Sequence, residues 1–518
     1  MKKITILLLS LSVVLSLCGC DNTASKNDSG KNMNSSEPAM SNGTNTVQAS
    51  AAPGESSNPA NSGNPEASEA PTQNDSELRL IYDSDIFLNA LTTSNCTENG
   101  YYSVKSLGTS YWDDKFLNLT YVDFASHREV VLCSDSSCKH DNEKCASYLS
   151  SKDFLSIPGV FINGDYLYLL STEYDQSGSM SSGGGYTAPG YEPPEETRRA
   201  SIYRMNLDGT NRQKIWEADN VGDVIEANVF GDGNDIWFIT KTPAMKIYEN
   251  PESKKNGAVF YYSKNRALMK YSSSENKITE RIPLDDYNNI ALDVMGCKDG
   301  KLILSGTAYP NGTSIWDNME ILAPSPNFGD SDSATWEFMK KCEEVYFTFD
   351  LATKEIRETF RKTLGELYAL DKHFFDGGRL YMIGEDYSVC AADLQTGEIS
   401  ELNVPKGYRL DGFFLDKMCF TRITENWDDN KTYITDLNGE NMTASEFVSA
   451  TSFGNDYVLL GLTSDKAVII YETEKIPSVN NPGAYTVGKR KAGLISIIDM
   501  LNGQPNFEPI DALKETWD

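Results

Sequence analysis

The stretch LYALDKHFFDGGRLYMIGEDYSVCAADLQTGEISELNV, residues 367–404, contains four short apolar-alternating segments divided by turn residues. LYALDKHFF runs into the tight turn DGG, and RLYMIGE follows as a second strand. SVCAADL is a third strand, QTG a turn, and EISELNV a fourth. Period-two alternation marks half-buried strands, and clusters of Gly and Asp between them mark hairpins. Four consecutive antiparallel strands in about 40 residues have the size of one propeller blade.

The third strand and its turn recur along the chain. The same phrase is found in LTYVDFASHREVVL (119–132), SIYRMNLDGTNRQKI (201–215), ALMKYSSSENKITERI (267–282), EVYFTFDLATKEIRETF (344–360), TYITDLNGENMTAS (432–445) and LISIIDMLNGQPNFEPI (494–510). Equivalent positions are Asp123, Asn206, Tyr271, Asp350, Asp393, Asp436 and Asp499, spaced by 83, 65, 79, 43, 43 and 63 residues. The shortest interval occurs twice and matches one blade. The first two strands recur as VFINGDYLYLLS, ANVFGDGNDIWFIT and DVMGCKDGKLILSG. The pattern predicts an all-β fold, a β-propeller of seven four-stranded blades over residues 77–518. A six- or eight-bladed ring is the alternative, because blade 1 lacks a clear strand A and YVLLGLTSDKAVIIYE in blade 7 can be divided two ways.

Residues in excess of the minimal blade fall mostly between the second and third strands, B and C: 174–199, 243–266, 309–342 and 475–491. In a propeller all B–C connections leave one face, so these insertions are expected to decorate that face. Loops grouped in this way often bind. Their aromatic residues Tyr186, Tyr191, Trp316, Trp336 and Tyr485 are the candidate ligand-binding residues. Such rings stack on sugars, anchor a protein partner, or pack the insertions onto the ring.

The chain begins MKKITILLLSLSVVLSLCGC. Lys2 and Lys3 precede an apolar run too short to span a bilayer, which is the order of an export signal. Leu17, Cys18, Gly19 and Cys20 resemble a bacterial lipobox. That resemblance implies cleavage after residue 19, a diacylglyceryl group on Cys20, and a location on the extracytoplasmic face of the cell membrane. Two acyl chains suffice for a durable anchor. Residues 20–76 are rich in Ser, Asn, Ala, Gly and Pro, with no aromatic residue. Such a segment cannot bury enough apolar area to fold and is expected to be a disordered tether reaching roughly 40 Å. The net charge of -29 disfavours nucleic acid as a partner.

CSDSSCKHDNEKC, residues 133–145, gathers three of the ten cysteines and one of the three histidines. Thiolates with an imidazole suit zinc or iron, so Cys133, Cys138, His140 and Cys145 are candidate ligands of a structural metal. Placed between strand D of blade 1 and strand A of blade 2, this loop is expected on the decorated face. A disulfide among the three cysteines, with Cys96 as a possible fourth thiol, is the rival arrangement in an exported chain. Cys297, Cys390 and Cys419 lie in strand phrases and are expected to be buried free thiols; Cys342 ends an insertion. GDGNDI (231–236) and GDSDSA (329–334) resemble fragments of calcium loops but lack the ligand count, and read as turns. His127, in a C–D turn, and His373, in a strand, read as structural. No H-E-x-x-H, G-x-S-x-G or phosphate-loop motif occurs.

The phrases IYRMNLDGTNRQKI and YITDLNGEN resemble the repeats of TolB-like and low-density-lipoprotein-receptor-like propellers. Lipobox, tether, cysteine loop and repeats together resemble propeller lipoproteins of anaerobic Gram-positive bacteria. The resemblance covers roughly 97–510 and implies fold more than function. The expected role is a lipid-anchored scaffold that binds a protein or glycan. The alternative is a carbohydrate-active enzyme with carboxylates near the central channel.

Overall fold

A computed structural model describes residues 78–82, 89–90, 94–107, 116–150, 153–154, 159–171, 186–187, 199–249, 257–284, 287–318, 321, 337–364, 374–375, 378–384, 386–394, 396–423, 432–445, 457–477 and 485–513. Residues 1–77, which include the expected export signal, Cys20 and the expected tether, lie outside them, as do Tyr191, Trp336, His373 and 329–334. No helix among the described residues is long and apolar enough to cross a membrane.

Seven antiparallel sheets follow one another along the chain. Blade 1 comprises Cys96–Thr97, Gly100–Lys105, Phe116–Asp123 and Arg128–Val131, and blade 2 Gly159–Asn163, Tyr166–Ser171, Ser201–Asn206 and Gln213–Glu217. Blade 3 comprises Val224–Gly231, Asp235–Glu249, Gly257–Ser272 and Lys277–Pro283, and blade 4 Asp293–Lys298, Lys301–Ala308, Glu343–Asp350 and Ile356–Thr363. Blade 5 comprises Phe374–Phe375, Arg379–Ile383, Val389–Asp393 and Ile399–Glu401, and blade 6 Tyr408–Phe414, Lys417–Arg422, Thr432–Asp436 and Thr443–Ser445. Val458–Leu462, Lys466–Pro477, Tyr485–Ser496 and Glu508–Pro509 complete blade 7. The fold is the expected seven-bladed β-propeller.

The alternation of each strand turns its apolar residues toward the two neighbouring blades, because both faces of every blade are covered. Seven buried clusters result, one between each adjacent pair. The cluster joining blade 7 to blade 1 packs Val468, Ile470 and Leu494 on Tyr101, Val122 and Phe124. That contact closes the ring, and the four strands of each blade are contiguous in sequence. The chain end adds a latch: Asp511 exchanges backbone hydrogen bonds with His127 (2.8 Å) and Glu129 (3.0 Å) along the outer strand of blade 1. His127 Nε2 lies 3.2 Å from Glu508 Oε2 in the same latch.

The recurring aspartate has a local cause. Asp350 and Asp436 end a strand C, and each accepts backbone N–H bonds from its C–D turn. Asp123 and Asp393 do the same. These bonds hold the carboxyls of Asp350 and Asp436 below the usual carboxylate range, and the Ser126 hydroxyl together with its N–H does the same for Asp123. Asp499 departs from the pattern. Strand C of blade 7 ends at Ser496, and Asp499 lies in the helix Ile497–Leu501, where its N–H is capped by Ser496 Oγ at 3.0 Å. Asp232 of GDGNDI binds the N–H groups of Asn234 and Asp235, so that sequence is a turn.

The four insertions are B–C connections of blades 2, 3, 4 and 7. Two of them are the hairpin itself prolonged: strands B and C of blade 3 stay paired out to Glu249 and Gly257, and those of blade 7 out to Pro477 and Tyr485. Tyr186–Thr187, from the blade 2 insertion, pairs with Gly257 and Ala258 and ties two insertions together.

One feature was not expected. Arg79–Tyr82 pairs antiparallel with the inner edge of strand A in blade 3, and Asn89–Ala90 pairs parallel with Phe413–Phe414 of strand A in blade 6. Cys297 Sγ of blade 4 donates to Leu78 O at 3.3 Å, Ile162 of blade 2 donates to Ser94 O, and Asn95 reaches Leu460 O of blade 7. Strand A is the innermost strand of every blade, so residues 78–82, 89–90 and 94–95 line the channel. Ile81 is buried, and Gly159 leaves the room that Tyr82 fills.

Candidate metal centre

Strand C of blade 1 pairs with two short segments. Residues 120–123 face Arg128–Val131, and residues 116–118 face Tyr148–Ser150. Strand D is therefore interrupted, and the cysteine loop leaves from its middle. The loop sits on the outer edge of blade 1 and not on the decorated face, which corrects its expected placement. Sequence spacing alone could not show this, because YLS (148–150) is too short to announce itself as a resumed strand.

The loop is pinned from below and beside. Buried Asn118 donates from its amide to His140 O (3.0 Å) and Ser147 Oγ (3.3 Å). Arg212 of blade 2 donates to Ala146 O (3.2 Å) and Tyr148 O (2.7 Å). His140 takes a positive φ of 58°, a turn conformation uncommon for a residue with a side chain. Its Nδ1 lies 3.3 Å from Cys145 Sγ, and its N–H donates to Cys138 Sγ at 3.4 Å.

One donor atom from each of Cys133, Cys138, His140 and Cys145 lies within 4.8 Å of all the others. The three cysteines are free thiols. A closed tetrahedron with metal–sulfur bonds of about 2.3 Å brings its sulfurs to about 3.8 Å, so a shift of about an ångström completes the shell. Burial opposes ionisation of Cys145, but hydrogen bonds from Ser147 and His140 outweigh it and bring the thiol down to about 6. The His140 N–H favours the Cys138 thiolate, yet desolvation and the neighbouring sulfurs push that thiol up to about 11. Three sulfurs and one imidazole nitrogen fit zinc or iron, and four protein donors leave no open position for catalysis.

The other cysteines keep apart. Cys297, Cys342 and Cys419 are buried, while Cys390 and Cys96 are half-buried. Of the candidate aromatic residues, Tyr186 and Tyr485 lie in strands and Trp316 in the 3-10 turn Ile315–Asn318, all three within B–C connections.

A second polar group, missed in the sequence, stands where strands A and C of blades 3 and 4 start. Arg266 binds Glu226 through both Nε (2.8 Å) and Nη2 (3.0 Å) and lies 3.3 Å from Asp293. Lys241 is 3.5 Å from Glu226. Burial opposes ionisation of Glu226, but Arg266 and Lys241 outweigh it and hold its carboxyl low. Buried Glu344 accepts from Thr307 at 3.2 Å. Burial, with the charge of Asp293 adding to it, pushes the Glu344 carboxyl up to about 8. Abundant acidic residues hid this group in the sequence.

No family model matches the chain, and neither does any curated protein. Among solved structures it is similar to the β-propeller domain of the Trilobed protease from Pyrococcus furiosus, at 10% identity and a TM-score of 0.37, over 78% of this chain and 99% of that one. An acylaminoacyl peptidase matches at 10% identity and a TM-score of 0.39, over 80% of this chain and 52% of the peptidase. TolB from Acinetobacter baumannii matches at 10% identity and a TM-score of 0.25, over 71% of this chain and 62% of TolB. The chain thus spans nearly all of the first and about half of the peptidase. The likeness concerns the propeller fold and carries nothing about activity.

Proposed function

We propose that the chain is a lipid-anchored, extracytoplasmic propeller that binds a protein or glycan ligand on the face carrying its B–C connections, with a structural zinc or iron at the cysteine loop. The supporting observation is the build of that face. Two insertions extend paired strands beyond the ring, and a third is stitched to one of them by Tyr186–Thr187. Prolonged hairpins keep their backbone groups paired and project a firm surface, as binding loops on a rigid scaffold require. Anchoring at Cys20 rests on the order of residues 17–20 and holds the protein at the membrane. Glycan and peptide arrays probed with residues 77–518 test the binding reading, with turnover assays on each hit. Ligands lost on shortening the blade 7 hairpin support it; hits indifferent to every insertion overturn it. For the anchor, Cys20→Ser is expected to abolish detergent partitioning, and unchanged partitioning removes that part.

A second reading is an enzyme acting on carbohydrate. Glu344, held protonated at neutral pH by burial while Arg266 and Lys241 hold Glu226 of the same group low, is the observation that favours it, because carboxyls driven apart in acidity supply acid and base. Product formation that survives insertion changes but fails in Glu344→Gln would establish it over the binding reading.

A further inference from the structure

The face opposite the insertions carries a cleft of about 780 Å³ between blades 4 and 5. Its walls hold four cations, Lys298, Lys301 and Arg357 from blade 4 and Arg379 from blade 5. Two carboxylates, Asp299 and Asp393, share the lining. Asp393 already accepts the N–H and hydroxyl of Thr396, at 2.8 and 3.1 Å. The cleft is thus net positive in a chain of net charge -29.

The placement of two of the cations is costly. Lys298 and Lys301 are direct partners across the A–B turn of blade 4. Asp299 and Gly300 between them both take positive φ, 50° and 71°, the geometry of a tight hairpin turn that sets the flanking residues face to face. Like charges directly opposite on paired strands repel. Among the described residues, Lys298, Lys301 and Arg357 make no ion pair. Asp350, the cross-strand partner of Lys301, spends its Oδ1 on the N–H groups of Ala352 and Thr353 and meets Lys301 only through space. Arg357 stands across from Thr348, which also lines the cleft. The repulsion is relieved when an anion enters between the two walls.

We infer that this cleft binds a small polyanion, a molecule bearing several phosphate or carboxylate groups. Guanidinium groups on both walls suit the flat, multidentate oxygens of such groups, and paired lysines add charge without demanding one geometry. The volume suits a ligand of small-molecule size. The site does not rest on the binding role proposed for the opposite face, and loss of either leaves the other standing.

Calorimetric titration of the full chain in detergent with tripolyphosphate and, separately, with citrate tests the inference. One-to-one binding that weakens as salt is raised is expected for at least one of them. Tighter tripolyphosphate assigns a phosphate ligand, and tighter citrate a carboxylate ligand. Lys298→Ala combined with Lys301→Ala is expected to lower affinity by about tenfold or more. Without anion, the same variant is expected to melt at or above the parent temperature, since the opposed charges are gone. Should it fail to fold, Arg357→Gln, on an exposed strand, makes the same comparison. Failure of both anions to bind the parent, or affinity unchanged in the folded variants, overturns the inference.

Discussion

Lys105 Nζ lies 2.9 Å from Glu129 Oε2 inside blade 1, with both side chains shut off from solvent. The backbone N–H of Leu513 donates to the same oxygen at 3.1 Å. A buried ion pair therefore sits where the chain end closes on the first blade. Removing one partner of such a pair leaves the other charge desolvated, which is far more damaging than losing a surface pair. Glu129→Ala is expected to lose about 3 kcal/mol of stability in denaturant unfolding. It should also open residues 508–513 to proteolysis. An unfolding midpoint within error of the parent would show that the latch is not coupled to the ring.

The metal centre makes a composition prediction. Protein purified without chelator is expected to carry about one zinc or iron per chain, and Cys145→Ser or His140→Ala to carry substantially less. Four-donor sites of this type contribute folding energy directly, so chelation should lower the melting temperature of the parent and leave Cys145→Ser unchanged. Elemental analysis of the parent showing neither metal would falsify the site.

Glu344 gives a pH dependence whose sign can be worked out. In the folded chain its carboxyl keeps its proton to about pH 8, whereas in the unfolded chain it ionises near 4.3. The folded state therefore binds more protons between these values, and stability falls as pH rises through that window. Glu344→Gln, neutral throughout and of the same shape, removes this term. The variant is expected to gain on the order of 4–5 kcal/mol on the parent at pH 8 and little at pH 4. Parallel stability curves for the two proteins between pH 5 and 8 would contradict the assignment.

The channel segment predicts a structural sensitivity in a place that looks like a linker. Ile81 packs among Phe161, Val229 and Phe238 of blades 2 and 3. Ile81→Asp places a charge there and is expected to cost about 3 kcal/mol or to expel the segment. Limited proteolysis reads the second outcome as new cleavage between residues 78 and 95. A variant as stable and as resistant as the parent would show that the segment does not hold the blades.

Much of the ring was legible because its repeating signals are local. The strand alternation and the Asp that caps the C–D turns of blades 1, 4, 5 and 6 depend on residues within a few positions of one another. Asp393 and Asp436 announce both the turn and the blade length. Signals failed where the cause was distant. Asp499 has the right neighbours, yet Ser496 caps a helix start and the strand ends early. The four candidate ligands Cys133, Cys138, His140 and Cys145 were readable from their chemistry, and they converge. Their position was not, since the resumption of strand D at Tyr148 depends on pairing with Phe116–Asn118. Leu78–Tyr82 alternates like any edge strand, and nothing nearby says that its partner is strand A of blade 3. The Glu226, Arg266, Asp293 and Glu344 group comes from four strands of two blades, a proximity that only the ring creates.

The channel segment also sets an order of assembly. Asn89 pairs with Phe413, so the first part of the domain to be synthesised waits for a partner 324 residues later in the chain. Closing so long a loop is slow, and the contact comes late. Until blade 6 exists, Asn89–Ala90 has no edge to join. A truncated chain that stops after five blades can still seat Arg79–Tyr82 on blade 3, but it leaves Asn89–Ala90 without its partner and open to protease. Seating of Asn89–Ala90 thus reports that blade 6 is present, and an unfinished ring is marked by a strand that was made early and has no edge to join.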